Sequence, residues 1–509
     1  MVGRRGFVLG SAIAAVFAAA SGRGADSPPI VRIRDGLVRG RLTNGVRAFT
    51  GIPYAQPPVG PLRFRPPLPA LPWSGELEAT HPPRVPPQDI DPALPQAMPM
   101  SEDCLQLNVW TPQTPGPHPV LVWIYGGGNA KGSSSLPPYQ GETFARDGVV
   151  CVSCNYRVGV LGFLELGEIT GPEDAGSGNN ALRDQVLVLE WVRDNITAFG
   201  GDPLNVTLGG QSAGAWNCAT LMAIPAANGL FHRTILASGG ADTVYTPARA
   251  TEFAERFVTR LGGKQRLRMA SISELLAAQK AARADSPNLI VFRPVIDGSY
   301  LPAAPIELLR RGSARSVTTM VGHTHDELRY FFSPAQADSP ASQTLLLHLD
   351  PSTLPLMISA YAHAFPDATR SERMLRVLSA DVFGIPSLRV AEAQASSGAK
   401  VYYYDLRYAI PDGPFGAYSP HGIDVPLIFE RVDTAFARTT FGYTSADLPM
   451  AKRVHDTWVS FIKTGSPGEK LPTWPPYDLA QRYTMTIAAS SLVSADPDQT
   501  ERTIWAGVI

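Results

Sequence analysis

The sequence predicts an α/β protein in which one large, mainly parallel sheet is covered by helices on both faces. Three observations carry that reading: short β-branched and aromatic runs recur along the 509 residues, segments of helical period separate them, and no internal repeat or flexible linker divides the chain. The 46 Gly and 47 Pro are spread without a G-X-Y period, which excludes collagen-like and wholly disordered chains.

Taken in order, the chain opens with Arg4 and Arg5 ahead of an apolar run from Phe7 to Ala20, followed by small residues. This pattern resembles a twin-arginine bacterial export signal, with removal expected between Ala20 and Ala25 and one domain over 26–509. The run is shorter than the ~20 residues that span a bilayer, and none later is long enough. Between 31 and 60, β-runs broken by Asp35-Gly36 and Asn44-Gly45 predict a small antiparallel sheet. Prolines dominate 60–100, so an ordered loop with little regular structure is expected there.

Strands of the large sheet are then expected at Leu105–Trp110, Val120–Tyr125, Val149–Asn155, Val206–Gly209, Thr234–Ala237, Thr318–Val321, Val401–Leu406 and Tyr483–Ile487. Leu182, Val186, Leu189, Val192 and Ile196 fall on one stripe of a helix that ends before Gly200-Gly201. Val454, Trp458, Phe461 and Ile462 mark a late helix stopped by Gly465 and Pro467. The stretch from about 250 to 390 is more helical and reads as a cap or lobe.

Charge and cysteine content narrow the function. Lys+Arg total 44 against 45 Asp+Glu, without basic blocks, so the electrostatic footprint of a nucleic-acid or anionic-membrane binder is missing. A small, largely uncharged substrate fits better. Of the 4 cysteines, Cys151 and Cys154 form a CxxC, but inside an apolar strand their side chains point to opposite faces, about 10 Å apart. They read as core residues rather than as a redox or zinc pair.

The chemistry is carried by glycines around a serine. Gly210-Gln211-Ser212-Ala213-Gly214 follows the run Val206–Gly209 and precedes a helix-like segment. A nucleophile on so tight a strand-to-helix turn needs small residues on either side. Gly126-Gly127-Gly128 follows the strand ending at Tyr125. Ester hydrolysis builds negative charge on the former carbonyl oxygen, and backbone N–H groups in a glycine-rich loop can approach it closely. The Gly-Lys-Ser/Thr ending that a phosphate-binding loop requires is absent.

With these motifs, Phe49–Ala55, Ser101–Val109, Asn155-Tyr156-Arg157, Phe199–Pro203 and Trp474-Pro475 appear in an order that resembles the carboxylesterase type B family of α/β-hydrolases, across roughly residues 30 to 490. The resemblance implies an α/β-hydrolase fold, Ser212 as nucleophile and His421, in His421-Gly422-Ile423-Asp424, as base. It implies Glu327, in Thr324-His325-Asp326-Glu327, as the acid, and oxyanion donors at Gly127, Gly128 and Ala213. The order serine, acid, histidine is that of the fold. From the residues alone Asp326 competes with Glu327, since either carboxylate could orient an imidazole. The mechanism implied needs neither metal nor organic cofactor. His323 and His325 have a metal-ligand spacing, but no further ligand cluster follows. His455, on the late helix, reads as a surface or packing residue.

Three departures from the family pattern stand out. Pro86 stands where the family often has a cysteine paired to Cys104, so that disulfide should be absent. Gln211 replaces a frequent glutamate, which argues against choline esters. Asn129 replaces a common aromatic residue, which predicts a more polar pocket or entrance. The expectation is an exported serine hydrolase of neutral or weakly polar esters. A catalytically inactive binding relative and a long-chain lipase are the rival readings, and a metal hydrolase using His323 and His325 is a third.

Overall fold

A computed structural model describes residues 28–508 except 90–98, 287, 289 and 351. The expected export signal lies outside the described residues. In chain order the strands are β1 Ile30–Ile33, β2 Gly36–Arg39, β3 Arg41–Thr43, β4 Val46–Pro53, β5 Glu76–Glu78, β6 Gln106–Pro112, β7 His118–Ile124, β8 Val150–Cys154, β9 Gly201–Gln211, β10 Arg233–Ala237, β11 Thr318–Thr324, β12 Val401–Leu406, β13 Tyr483–Ile487 and β14 Leu492–Ala495. Each apolar run expected to join the large sheet does so.

That sheet has 11 strands in the order β14-β13-β12-β11-β10-β9-β7-β8-β6-β4-β3. From β8 across to β13 neighbouring strands are parallel, and both edges are antiparallel. All five residues of β8 are buried, as are the last five of β7, because helices cover both faces of the sheet. After β7 the chain pairs β8 on one side and then crosses to lay β9 on the other. The chain therefore leaves the carboxyl ends of β7 and β9 towards opposite sides, a topological switch point where such sheets bind ligands.

The helix Asn180–Asn195 buries Leu182, Val186, Leu189 and Val192, and Gly200, at φ 85°, closes the 3₁₀ turn that follows it. The helix Leu448–Thr464 buries Val454, Trp458, Phe461 and Ile462 and stops at Gly465. Between 247 and 396 the chain is mostly helical around β11. Part of this stretch packs as its own apolar cluster, with Leu345, Tyr361, Leu375, Leu378, Phe383 and, from the far end of the chain, Trp505. A π-helical turn, Ala380–Gly384, joins the helices Arg370–Ser379 and Ile385–Ser396.

The small N-terminal sheet differs from the expected antiparallel one. It has 3 strands, β1 antiparallel to β2 and β5 parallel to β2. β5 is a 3-residue strand in the proline-rich stretch, too short to leave a periodic signal. The Asn44-Gly45 hairpin instead forms an edge of the large sheet, because β4 buries Val46, Ala48, Phe49 and Ile52 alongside β6. Cys151 and Cys154 do pack into the cores on opposite faces of the sheet. All four cysteines are free and buried, including Cys104, and burial pushes each thiol well above its ordinary range.

Candidate active site

β9 ends at Gln211, and the next residue, Ser212, sits at φ 59°, ψ −130° before the helix Ala213–Leu221 begins. A side chain rarely adopts that backbone, so the surroundings must hold it there. The Ser212 amide donates to Ala237 O at 2.9 Å, tying the turn to β10. Sterics explain the flanking glycines: a Cβ on Gly214 would lie 2.1 Å from Ile124 O, and one on Gly210 would lie 2.6 Å from the Gly214 carbonyl carbon. Turn and neighbouring strand thus touch backbone to backbone.

Gly126 continues the same contact from β7, for its Cβ would meet Gln211 O at 2.7 Å. Gly127 O accepts from Ala130 and Lys131, curling the loop into a tight turn. The Gly127 and Gly128 amides donate to no group among the described residues, and Ala213, as the first residue of its helix, has no intrahelical acceptor for its N–H.

Acid and base come from loops that follow β11 and β12. His421 Nδ1 lies 2.5 Å from Glu327 Oε2, and Glu327 Oε1 accepts from Thr324 N at 2.9 Å. The loops are laced together: Asp326 N donates to Ser419 O, Ser419 N to Asp326 Oδ2, and His421 N to Glu327 O. Asp326 is thereby turned to the 419 loop, and Glu327 is the carboxylate on the imidazole. Burial opposes the charge on Glu327, which is 0% exposed. The adjoining His421, with help from the Ser238 hydroxyl, outweighs that and holds the carboxyl below its usual range.

The other imidazole nitrogen, Nε2, lies 3.1 Å from Gln211 Nε2. With the Nδ1 proton on the glutamate side, Gln211 donates to that nitrogen, and among the described residues no hydrogen bond joins it to Ser212. In the resting arrangement the glutamine amide therefore stands where the serine hydroxyl must bond. Such contacts commonly tighten only when substrate is bound. Phe383, carried by the π-helical turn, stacks on the ring at 4.4 Å and limits its rotation.

Ser212 and His421, 7% and 6% exposed, open onto a cavity of about 470 Å³ at the switch point. Apolar walls come from Leu136, Trp216, Ile290, Phe331, Phe383 and Phe441, and among the described residues Asp89, Lys131 and Arg283 bring charge to it. Sequence reasoning missed Arg283 and Phe383, since both reach the cavity from the helical region whose arrangement no local pattern reveals. It also missed Asp424, fully buried three residues after His421 with neither carboxyl oxygen hydrogen-bonded among the described residues. Burial, then the charge of Glu327, pushes that carboxyl up to about 7.

Asn129 does not make the pocket more polar. Its side chain is buried, donating to Phe292 O and accepting from Asn217, so it braces the wall from behind. His323 and His325 reach towards Asp405 rather than a shared vacant position. Among the described residues the one trio with converging ligand atoms is Asp147, Glu430 and His455. There Arg146 bridges both carboxylates, and His455 is bonded at each nitrogen, to Ile428 O and Asp147. This is a packing role.

Known proteins agree with this architecture. A profile of the Carboxylesterase family matches residues 27–505. Para-nitrobenzyl esterase of Bacillus subtilis is 34% identical over 93% of this chain and 97% of its own length. Carboxylesterase 1C of Rattus norvegicus is 31% identical over 94% and 96%. Among solved structures, a Geobacillus stearothermophilus carboxylesterase at pH 6.2 superposes with TM-score 0.83 at 36% identity, covering 94% of this chain and 99% of that one. The extent of these matches, end to end and on the same fold, makes the chain a carboxylic ester hydrolase that belongs to the carboxylesterase family.

Proposed function

We propose that Ser212, His421 and Glu327 carry out the hydrolysis, on esters that are neutral or weakly polar around the scissile bond. The observation behind this is the imidazole held 2.5 Å from a buried carboxylate, on the wall of the same apolar cavity as the strained Ser212. As Gln211 yields its contact, His421 Nε2 takes the Ser212 proton while Oγ attacks the ester carbonyl. The amides of Gly127, Gly128 and Ala213 receive the charge that forms on the carbonyl oxygen. His421 then protonates the leaving alcohol, and Glu327 holds the imidazole in the required tautomer and stabilises its charged form. Water, activated by His421, releases the acid from the acyl-enzyme by the same steps. No metal or organic cofactor takes part.

The test is hydrolysis of p-nitrophenyl esters of increasing acyl length by the purified protein, with Ser212→Ala in parallel. Turnover that falls by roughly 10⁴-fold or more in the variant supports the assignment, and activity that survives the substitution refutes it. We also propose that the chain is exported after recognition of Arg4-Arg5. N-terminal sequencing of exported protein should show cleavage between Ala20 and Ala25, and a mature chain starting at Met1 would overturn this.

A further inference from the structure

Two of the buried arginines in this protein are each matched to a carboxylate. Arg63 meets Glu102 through two hydrogen bonds of 2.7 Å, and Arg157 meets Asp184 at 2.6 and 2.9 Å. Arg283, half-buried on the wall of the cavity that holds Ser212, has no such close match. It stands in the last turn of the helix Ile272–Ala284, where its guanidinium carbon lies 5.7 Å from the Phe292 ring centroid. Its one ion-pair partner among the described residues is Asp89, at 3.6 Å, beyond hydrogen-bond distance. The pairing is also lopsided, since the arginine side chain is 25% exposed and the aspartate 45%. The Nε–H is buried with no acceptor among the described residues, a state that native proteins rarely leave unanswered.

We propose that Arg283 is a specificity residue that receives a carboxylate borne by the substrate away from the scissile ester. The enzyme would then favour half-esters of dicarboxylic acids over fully neutral esters of the same length. A guanidinium offers a planar fork that matches a carboxylate with two parallel hydrogen bonds, and low-polarity walls strengthen that attraction. Among the described residues lining the cavity, Asp89 is the one carboxylate. An incoming carboxylate replaces the loose Asp89 contact with a close one, while the exposed aspartate turns to water. This proposal rests on the esterase reading above and adds the charge of the substrate to it.

The experiment follows methyl-ester hydrolysis by acid release at constant pH. Monomethyl succinate, adipate and suberate are compared with neutral methyl esters of matching chain length, for the wild type, Arg283→Gln, Arg283→Lys and Asp89→Asn. For the best-fitting half-ester, the wild-type kcat/KM should equal or exceed that for its neutral counterpart. Arg283→Gln should lower that ratio at least 10-fold, mainly through KM, Arg283→Lys should keep part of it, and Asp89→Asn should raise it by removing the competing carboxylate. A wild-type ratio below about one in a hundred, or one that none of the substitutions moves, overturns the proposal. Asp89→Asn decides the matter should Arg283→Gln fail to fold. Turnover of neutral esters with rejection of half-esters defeats this proposal alone, and failure on both sets, with no Ser212 dependence, defeats the esterase reading along with it.

Discussion

Two imidazole–carboxylate pairs are built around the carboxyl end of β11, and they do different things. In one, His421 meets Glu327. In the other, His325 meets Asp405 at 3.1 Å, with Arg407 on the same carboxylate oxygen at 2.6 Å. Both carboxylates are fully buried. Glu327, however, answers to one imidazole that lines the same cavity as Ser212 and whose far nitrogen meets the Gln211 amide, whereas Asp405 is shared between a histidine and an arginine. A histidine beside a buried acid is therefore not in itself catalytic machinery. What separates the pairs is where the second ring nitrogen leads.

The sharpest way to break the comparison is to remove the charge from each acid. Glu327→Gln should lower kcat by about 10⁴-fold, the cost seen when the imidazole loses the acid that orients it. Asp405→Asn should leave kcat within about 10-fold, and a loss from Asp405→Asn as large as that from Glu327→Gln would dissolve the distinction. Next in size, Gly214→Ala forces a methyl onto the Ile124 carbonyl. Overpacking of this kind costs roughly 1–3 kcal/mol or more, and it should appear in urea unfolding together with lost activity.

Third, His325→Gln should cost about 1–3 kcal/mol of stability, as removal of one partner of a buried polar contact does, with little effect on kcat. Burial disfavours the charged ring, but Asp405 outweighs it and raises the His325 pKa. A raised folded value means that the stabilisation is complete below the unfolded pKa of about 6.5 and disappears as pH climbs through the folded one. The deficit of the variant should accordingly be widest near pH 5–6 and shrink above, and a deficit that grows with pH would reverse the assignment. The smallest effect is expected from Phe383→Leu. It removes the ring stacked on His421 and should lower kcat a few-fold without touching the His325 pair.

Legibility followed the sequence distance over which each feature is built. The serine turn was readable because its constraint is local: Gly210, Ser212 and Gly214 share one turn, and the strand they touch ends in another glycine run. The strands of the parallel sheet were readable because burial on both faces leaves continuous apolar runs. Choosing Glu327 over Asp326 needed the family motif, since what separates them is a bond to a residue 94 positions away. Gln211 was noted as a departure, yet its bond to His421 spans 210 positions and left no trace in the chain. Asn129 looked like a pocket residue because its neighbours are. Its side chain is instead engaged by Phe292 O and Asn217 behind the wall.

Four unpaired thiols, each sealed in the interior and held in its unreactive protonated form, give the molecule an internal clock. An alkylating reagent added to the folded enzyme can modify a cysteine only when the surrounding structure opens, so the rate at each position times the opening of its own neighbourhood. Cys151 and Cys154 sit on opposite sides of one strand and would report separately on the two layers of helices. Cys218, in the helix that begins just after Ser212, would report on the ground beneath the nucleophile.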